Sequence, residues 1–206
     1  MPRARKISPV SVVRAAARLV RRDGLDAVSV RAVAASLDVT PMALYRHVGS
    51  AAGLRTATLE FILLEVKAPP PEGRVTDRLR VFAHEARAVF GRYPGVAEAV
   101  LTEWPRLLQG ARIMESLLAT TADATRSRAR RVDIANAVFV YVLMRAVAER
   151  SVLAGGRRRG IPTAQAHPDR FPELAAAQGY FAEIDTDRHF AIGIDALLRG
   201  MVRGDR

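Results

Sequence analysis

The chain has 206 residues, half of them apolar and about a quarter charged, as expected of a soluble globular protein with one or two domains and a sizeable core. It has no cysteine, which excludes disulfides and thiolate metal sites, and its longest apolar run, Ala137 to Met144, is far below the roughly 18 residues of a membrane span. The net charge of +11 is uneven: residues 1–55 hold ten Lys or Arg against three Asp, a surplus of +7, which is the electrostatic footprint of a nucleic-acid binder.

Residues 1–8 read as a basic arm, with no apolar leader segment, so a cytoplasmic protein is expected. The first helix is predicted over Pro9–Asp23, with Val13, Ala16, Ala17 and Val20 buried and Arg14, Arg18 and Arg21 outward. Gly24 serves as its C-cap.

Two short helices follow. Ser29 is a good N-cap, and Val30, Val33, Ala34 and Leu37 then fall on one helical face. Asp38 and Val39 make the bend. Thr40 caps the next helix, with Pro41 at its first position, where the missing N–H costs nothing. Leu44 and Val48 point inward, while Met42, Tyr45 and Arg46 point outward. This is a helix-turn-helix layout, whose second helix enters a DNA major groove.

A fourth helix is predicted from Ser50 to about Lys67, ended by the three prolines within Ala68–Gly73. Val75 to Tyr93 keeps one apolar face until Pro94-Gly95 breaks it. A shorter helix covers Val96–Thr102, and Trp104-Pro105 opens another that reaches Thr121. The octamer AVFVYVLM reads as a strand or a buried helix by periodicity. Its flanks decide for a long helix over 128–153, apolar all round in the middle and so needing cover on two sides. Ala154 to Asp169 reads as a flexible loop, and Phe171 to Leu174 as the start of a short helix. The last helix covers 187–202, with Phe190, Ile194, Leu197, Leu198 and Met201 in one stripe.

Gly24 to Leu54 resembles the DNA-binding domain of the tetracycline-repressor family of bacterial transcription regulators. The resemblance rests on Gly24-Leu25, Ser29-Val30-Arg31, Val33-Ala34, Val39, Leu44-Tyr45-Arg46-His47-Val48 and Leu54. His167–Ala176 and Phe190–Met201 are similar to the C-terminal regulatory domain of the tetracycline-repressor branch. The resemblance implies an all-α fold: a helix-turn-helix domain over 1–53, the fourth helix (50–67) as connector, and a helical regulatory and dimerisation domain over 68–206. It also implies a small-molecule effector that changes the separation of two DNA-binding heads, with repression as the default output.

For DNA, Ser29, Thr40 and Tyr45 offer phosphate contacts, and the resemblance assigns Tyr45 and His47 to backbone or neighbouring contacts. Base reading is expected from Arg31, Thr40, Pro41, Met42 and Arg46. The family places a phosphate-contacting Lys where this chain has Gly49 to Ala52, and Arg55 is the expected substitute. One such helix reads too few bases to be selective, so a homodimer on a palindromic duplex operator is expected, joined through helices 128–153 and 187–202. Phe82, His84, Phe90, Trp104, Phe139, Tyr141 and Arg145 are ligand-contact candidates by residue type. No catalytic motif is present, Glu103 stands alone, and no cofactor or metal site is expected. The other readings are a non-specific nucleic-acid binder and a small-molecule carrier.

Overall fold

The computed structural model describes residues 7–154, 162–182 and 185–202, and the regular elements among them are all helical. No helix among the described residues is long and apolar enough to cross a membrane. Helix α1 (Pro9–Asp23) starts with reciprocal bonds between Ser8 and Ser11 and ends at Gly24, whose φ of 87° suits glycine. Of its expected stripe, Ala16, Ala17 and Val20 are buried but Val13 is only half-buried. The reason is that α1 is wedged between two cores. Val12, Ala15, Ala16 and Leu19 join a small cluster with α2 (Val30–Ser36) and α3 (Pro41–Val48), while Ala17 and Val20 join a larger cluster beyond.

Helix α4 (Ala51–Leu63) is shared in the same way: Leu54 belongs to the small cluster, and Leu59, Ile62 and Leu63 to the large one. It stops short of Lys67. The Glu65 and Val66 N–H groups bond back to Ile62 and Leu63, tightening the chain into a turn that buries Val66. The proline segment follows as irregular chain, tied down by Arg78, whose guanidinium donates to the Pro70 carbonyl (2.6 Å).

The body consists of α5 (Val75–Arg92), α6 (Val96–Glu103), α7 (Leu108–Thr121), α8 (Arg128–Ala154), the short α9 (Pro162–Ala166), α10 (Pro172–Ala176) and α11 (Gln178–Ala182), and α12 (Thr186–Val202). The single helix expected from Trp104 is divided. Trp104–Arg106 forms one 3-10 turn around Pro105, Leu107 is extended, and α7 begins after it. Gly110 permits this corner, because a Cβ there would lie 2.6 Å from the Trp104 carbonyl oxygen.

The AVFVYVLM octamer is helical, with Val138, Phe139, Val142 and Leu143 buried against α5, α6 and α7. Val140 and Met144 stay uncovered. In the segment expected as loop, Pro162–Ala166 is helical, with Pro162 at a first position where its fixed φ suits a helix. Residues 155–161 of that loop, and most of the basic arm, lie outside the described residues. Helix α11 was not anticipated; five residues are too few for a periodic signal.

Candidate nucleic-acid interface and its joint with the helical body

The eight candidate DNA-contacting side chains share one property. Ser29, Arg31, Thr40, Pro41, Met42, Tyr45, Arg46 and His47 are all exposed, Met42 by 69%. Beneath them Leu44 is fully buried and Val48 half-buried, so α3 is anchored by one edge with the rest free. The Ser29 hydroxyl accepts from the Ala32 N–H (3.1 Å), and the Thr40 hydroxyl from the Ala43 N–H (3.3 Å). Each hydroxyl proton is left as a donor at a helix N-terminus, where the dipole favours an anion. Neither α2 nor α3 contains an acidic residue. Asp38, in the turn, takes a φ of 56°, a left-handed geometry that Asp tolerates better than most residues.

Arg55, the expected phosphate contact, is engaged with the body. Its guanidinium donates to Glu103 Oε1 at 3.2 Å through both Nε and a terminal nitrogen, so the carboxylate that looked alone in sequence is its partner. The bond links α4 to the end of α6 and is one of several across the joint. The Leu25 N–H donates to the Pro94 carbonyl (2.9 Å), and Arg150 pairs with Glu98 (2.7 Å) beside it. Glu60 on α4 takes the Leu108 N–H on one carboxylate oxygen (2.6 Å) and the Gln109 N–H on the other (2.9 Å). It therefore caps α7 from a distant helix, satisfying donors that α7 cannot satisfy itself. Sequence reasoning missed these pairs because they carry no local spacing.

Glu65 closes the joint, accepting from the Tyr93 hydroxyl and pairing with Arg92 at 2.6 Å. Burial works against its charge, but Tyr93 and Arg92 outweigh it and hold the carboxyl below the ordinary range. The stability it contributes is present above the ordinary carboxylate pKa and is lost as the pH falls through the lowered value. Glu65→Gln is expected to flatten the acid limb of Tm against pH, measured between about pH 3 and 6.

The ligand candidates separate into groups. Phe82, Phe90 and Phe139 are buried in the body core, and half-buried Trp104 stands edge-on to Phe139 at 5.9 Å. His84 is exposed and edge-on to Phe190 at 5.0 Å. The half-buried Tyr141 hydroxyl donates to the Phe190 carbonyl (3.1 Å), and burial raises its pKa. Arg145 pairs with Glu149 (3.3 Å), and its Nε is buried without a partner. These three gather around Arg87, which bonds Glu149 (2.9 Å) and Asp187 (2.8 Å) and lies 4.7 Å over the Phe190 ring. Among the described residues no group of His, Cys, Asp and Glu is placed to hold a metal.

The chain matches two family models. Residues 12–58 match that of the bacterial regulatory proteins, tetR family, and residues 68–203 that of the tetracyclin repressor-like C-terminal domain. Apo ActR from Streptomyces coelicolor has a similar fold, with a TM-score of 0.81, 23% identity and 98% of both chains covered. ActR in complex with actinorhodin gives a TM-score of 0.82 at 22% identity, covering 97% of this chain and 99% of that one. A TetR variant from Acinetobacter baumannii in complex with minocycline gives 0.73 at 21% identity, covering 96% and 98%. No curated protein matches the chain at a significant level.

Proposed function

Since the chain belongs to the tetracycline-repressor family of bacterial regulatory proteins, we propose that it is a cytoplasmic homodimeric repressor that leaves its operator when a small molecule enters the helical body. The observation that carries this is the exposure of Arg31, Pro41, Met42, Tyr45, Arg46 and His47 over a buried Leu44. Such a helix has no fold-related use for its outer face, and a major groove is the partner that fits it.

The head comprises residues 1–53, α4 is the connector, and 68–206 form the body. Arg31 and Arg46 read guanine edges, while Pro41 and Met42 press on thymine methyls. Ser29, Thr40, Tyr45 and His47 hold the backbone. The fold neighbours in complex with actinorhodin and minocycline support a ligand of comparable kind, bound in the body. Its contacts are drawn from Phe82, His84, Phe90, Trp104, Phe139, Tyr141 and Arg145, and the unpartnered Gln109 Oε1 and Arg145 Nε supply polar attachment points. Gln109 also donates its N–H to Glu60, so a ligand that shifts the start of α7 pulls on the connector. Coupling requires that the ligand favour one head spacing over the other.

Binding to a palindrome should persist at a salt concentration that releases bulk DNA, as measured by titration against competitor duplex. Equal loss from both would contradict sequence reading. Arg46→Ala should cost about 1–3 kcal/mol of discrimination at one base position, measured by titrating single-base operator variants.

A further inference from the structure

The head has a second concave surface. A groove of about 280 Å³ runs between α1 and the far end of α2, with Arg14 and Arg18 on one wall and Ser36, Leu37 and Val39 on the other. Its apolar members, Leu37, Val39 and Ile7, are half-buried, and both arginines are exposed. The Ser36 hydroxyl is turned back on the Val33 carbonyl (2.8 Å), so the two guanidiniums dominate the polar character.

Neither Arg14 nor Arg18 has an ion pair or hydrogen bond among the described residues. In the body, Arg78, Arg80, Arg87 and Arg92 are each held by a carboxylate. A concave surface with two cations that no carboxylate neutralises favours an anionic occupant over a neutral one.

Position decides which. Val39 precedes Thr40, the cap of α3, so the groove adjoins the start of the recognition helix. Ser29 lies at the opposite end of α2, and seven residues at 1.5 Å per residue separate the two by about 10 Å. A major groove is about 12 Å wide between its phosphate ridges. With Ser29 on one ridge, the far end of α2, where Ser36 and Leu37 share the groove with Arg14 and Arg18, lies about one groove width away.

We propose that this groove seats backbone phosphates of the duplex on the side of the major groove away from Ser29, with Arg14 and Arg18 as their charge partners. The inference rests on α3 being a major-groove helix, but the contact itself carries no base information.

The test uses the full chain and an Arg14→Gln, Arg18→Gln double variant. Affinity is titrated from 50 to 200 mM salt on a selected operator and on an unrelated duplex of equal length. Each phosphate contact contributes about 0.9 to the slope of log K against log salt, and the dimer loses two arginines from each head, so the slope should become shallower by roughly 3.6 on both duplexes. The ranking of operator variants should not change. Neutralising Arg106 and Arg126, exposed on the body, serves as the control for net charge alone. An unchanged slope in the double variant, or an equal fall in the control, overturns the proposal; a small anion or an acidic protein segment would then be the occupant. A chain that shows no sequence preference, yet whose slope falls in the double variant and not in the control, keeps the groove contact and loses the repressor reading. Sequence preference with an unaltered slope does the reverse.

Discussion

Replacing Met144 and Ile192 together by Asp is expected to give a folded monomer whose operator affinity is lower by about 10²-fold or more, because the second head then binds as a separate molecule. Both side chains are about half exposed, as is Val132, and Val140 lies close behind. Helices α8 and α12 run antiparallel: Arg130 reaches the Met201 carbonyl (3.0 Å), while Tyr141 reaches that of Phe190 (3.1 Å). Their uncovered apolar positions therefore lie along neighbouring helices. In the proposed dimer a second copy covers them, whereas exposure to water is unfavourable. A carboxylate at an exposed site disturbs the monomer little, whereas the same charge buried between two copies is strongly unfavourable. Light scattering reports mass, circular dichroism reports fold, and a DNA titration reports affinity. A full-affinity dimer from the double variant would contradict the assignment of this face.

Leu44→Ala should have the largest effect on the head itself. Leu44 is fully buried in a cluster formed by Val12, Ala15, Ala16, Leu19, Val30, Val33, Ala34 and Leu54. Truncating it removes transfer energy and leaves a cavity, for a loss of about 2–5 kcal/mol. A core this small has little reserve, so α2 and α3 are expected to exchange amide hydrogens far faster while α5 and α8 keep their protection. Operator binding should be lost with them. Met42→Ala is the contrasting change: with Met42 mostly exposed, stability should stay within about 0.5 kcal/mol while base preference shifts. Unaltered exchange in Leu44→Ala would mean that α3 is held by something other than this contact.

The contrast between these residues shows what the sequence can convey. Helix ends marked by side-chain chemistry are legible: Ser29 and Thr40 cap the helices they are expected to cap, Gly24 ends α1, and α4 starts directly after Ser50, where its start is expected. The inward Leu44 and outward Met42 follow from a period of 3.6 on an eight-residue helix. Val13 was misjudged because a single amphipathic stripe describes a helix with one buried side, and α1 has two. The break at Leu107 was missed because it depends on Gly110 packing against the Trp104 backbone, a tertiary contact. The pairings Arg55–Glu103 and Glu60 with the start of α7 join residues 48 or 49 positions apart, and no spacing rule reaches that far. The ligand candidates were chosen by residue type. Type alone does not separate a core phenylalanine such as Phe82 from Arg145, whose Nε lacks a partner.

Whether α3 reads DNA as one of a symmetric pair is decided by selecting duplexes from a random-sequence pool with the 206-residue chain. The expected result is enrichment of one near-palindrome, with half-site centres one helical turn apart, about 34–36 Å, and two chains bound per site. A pool that stays random, or a single unsymmetric site occupied by one chain, would contradict it.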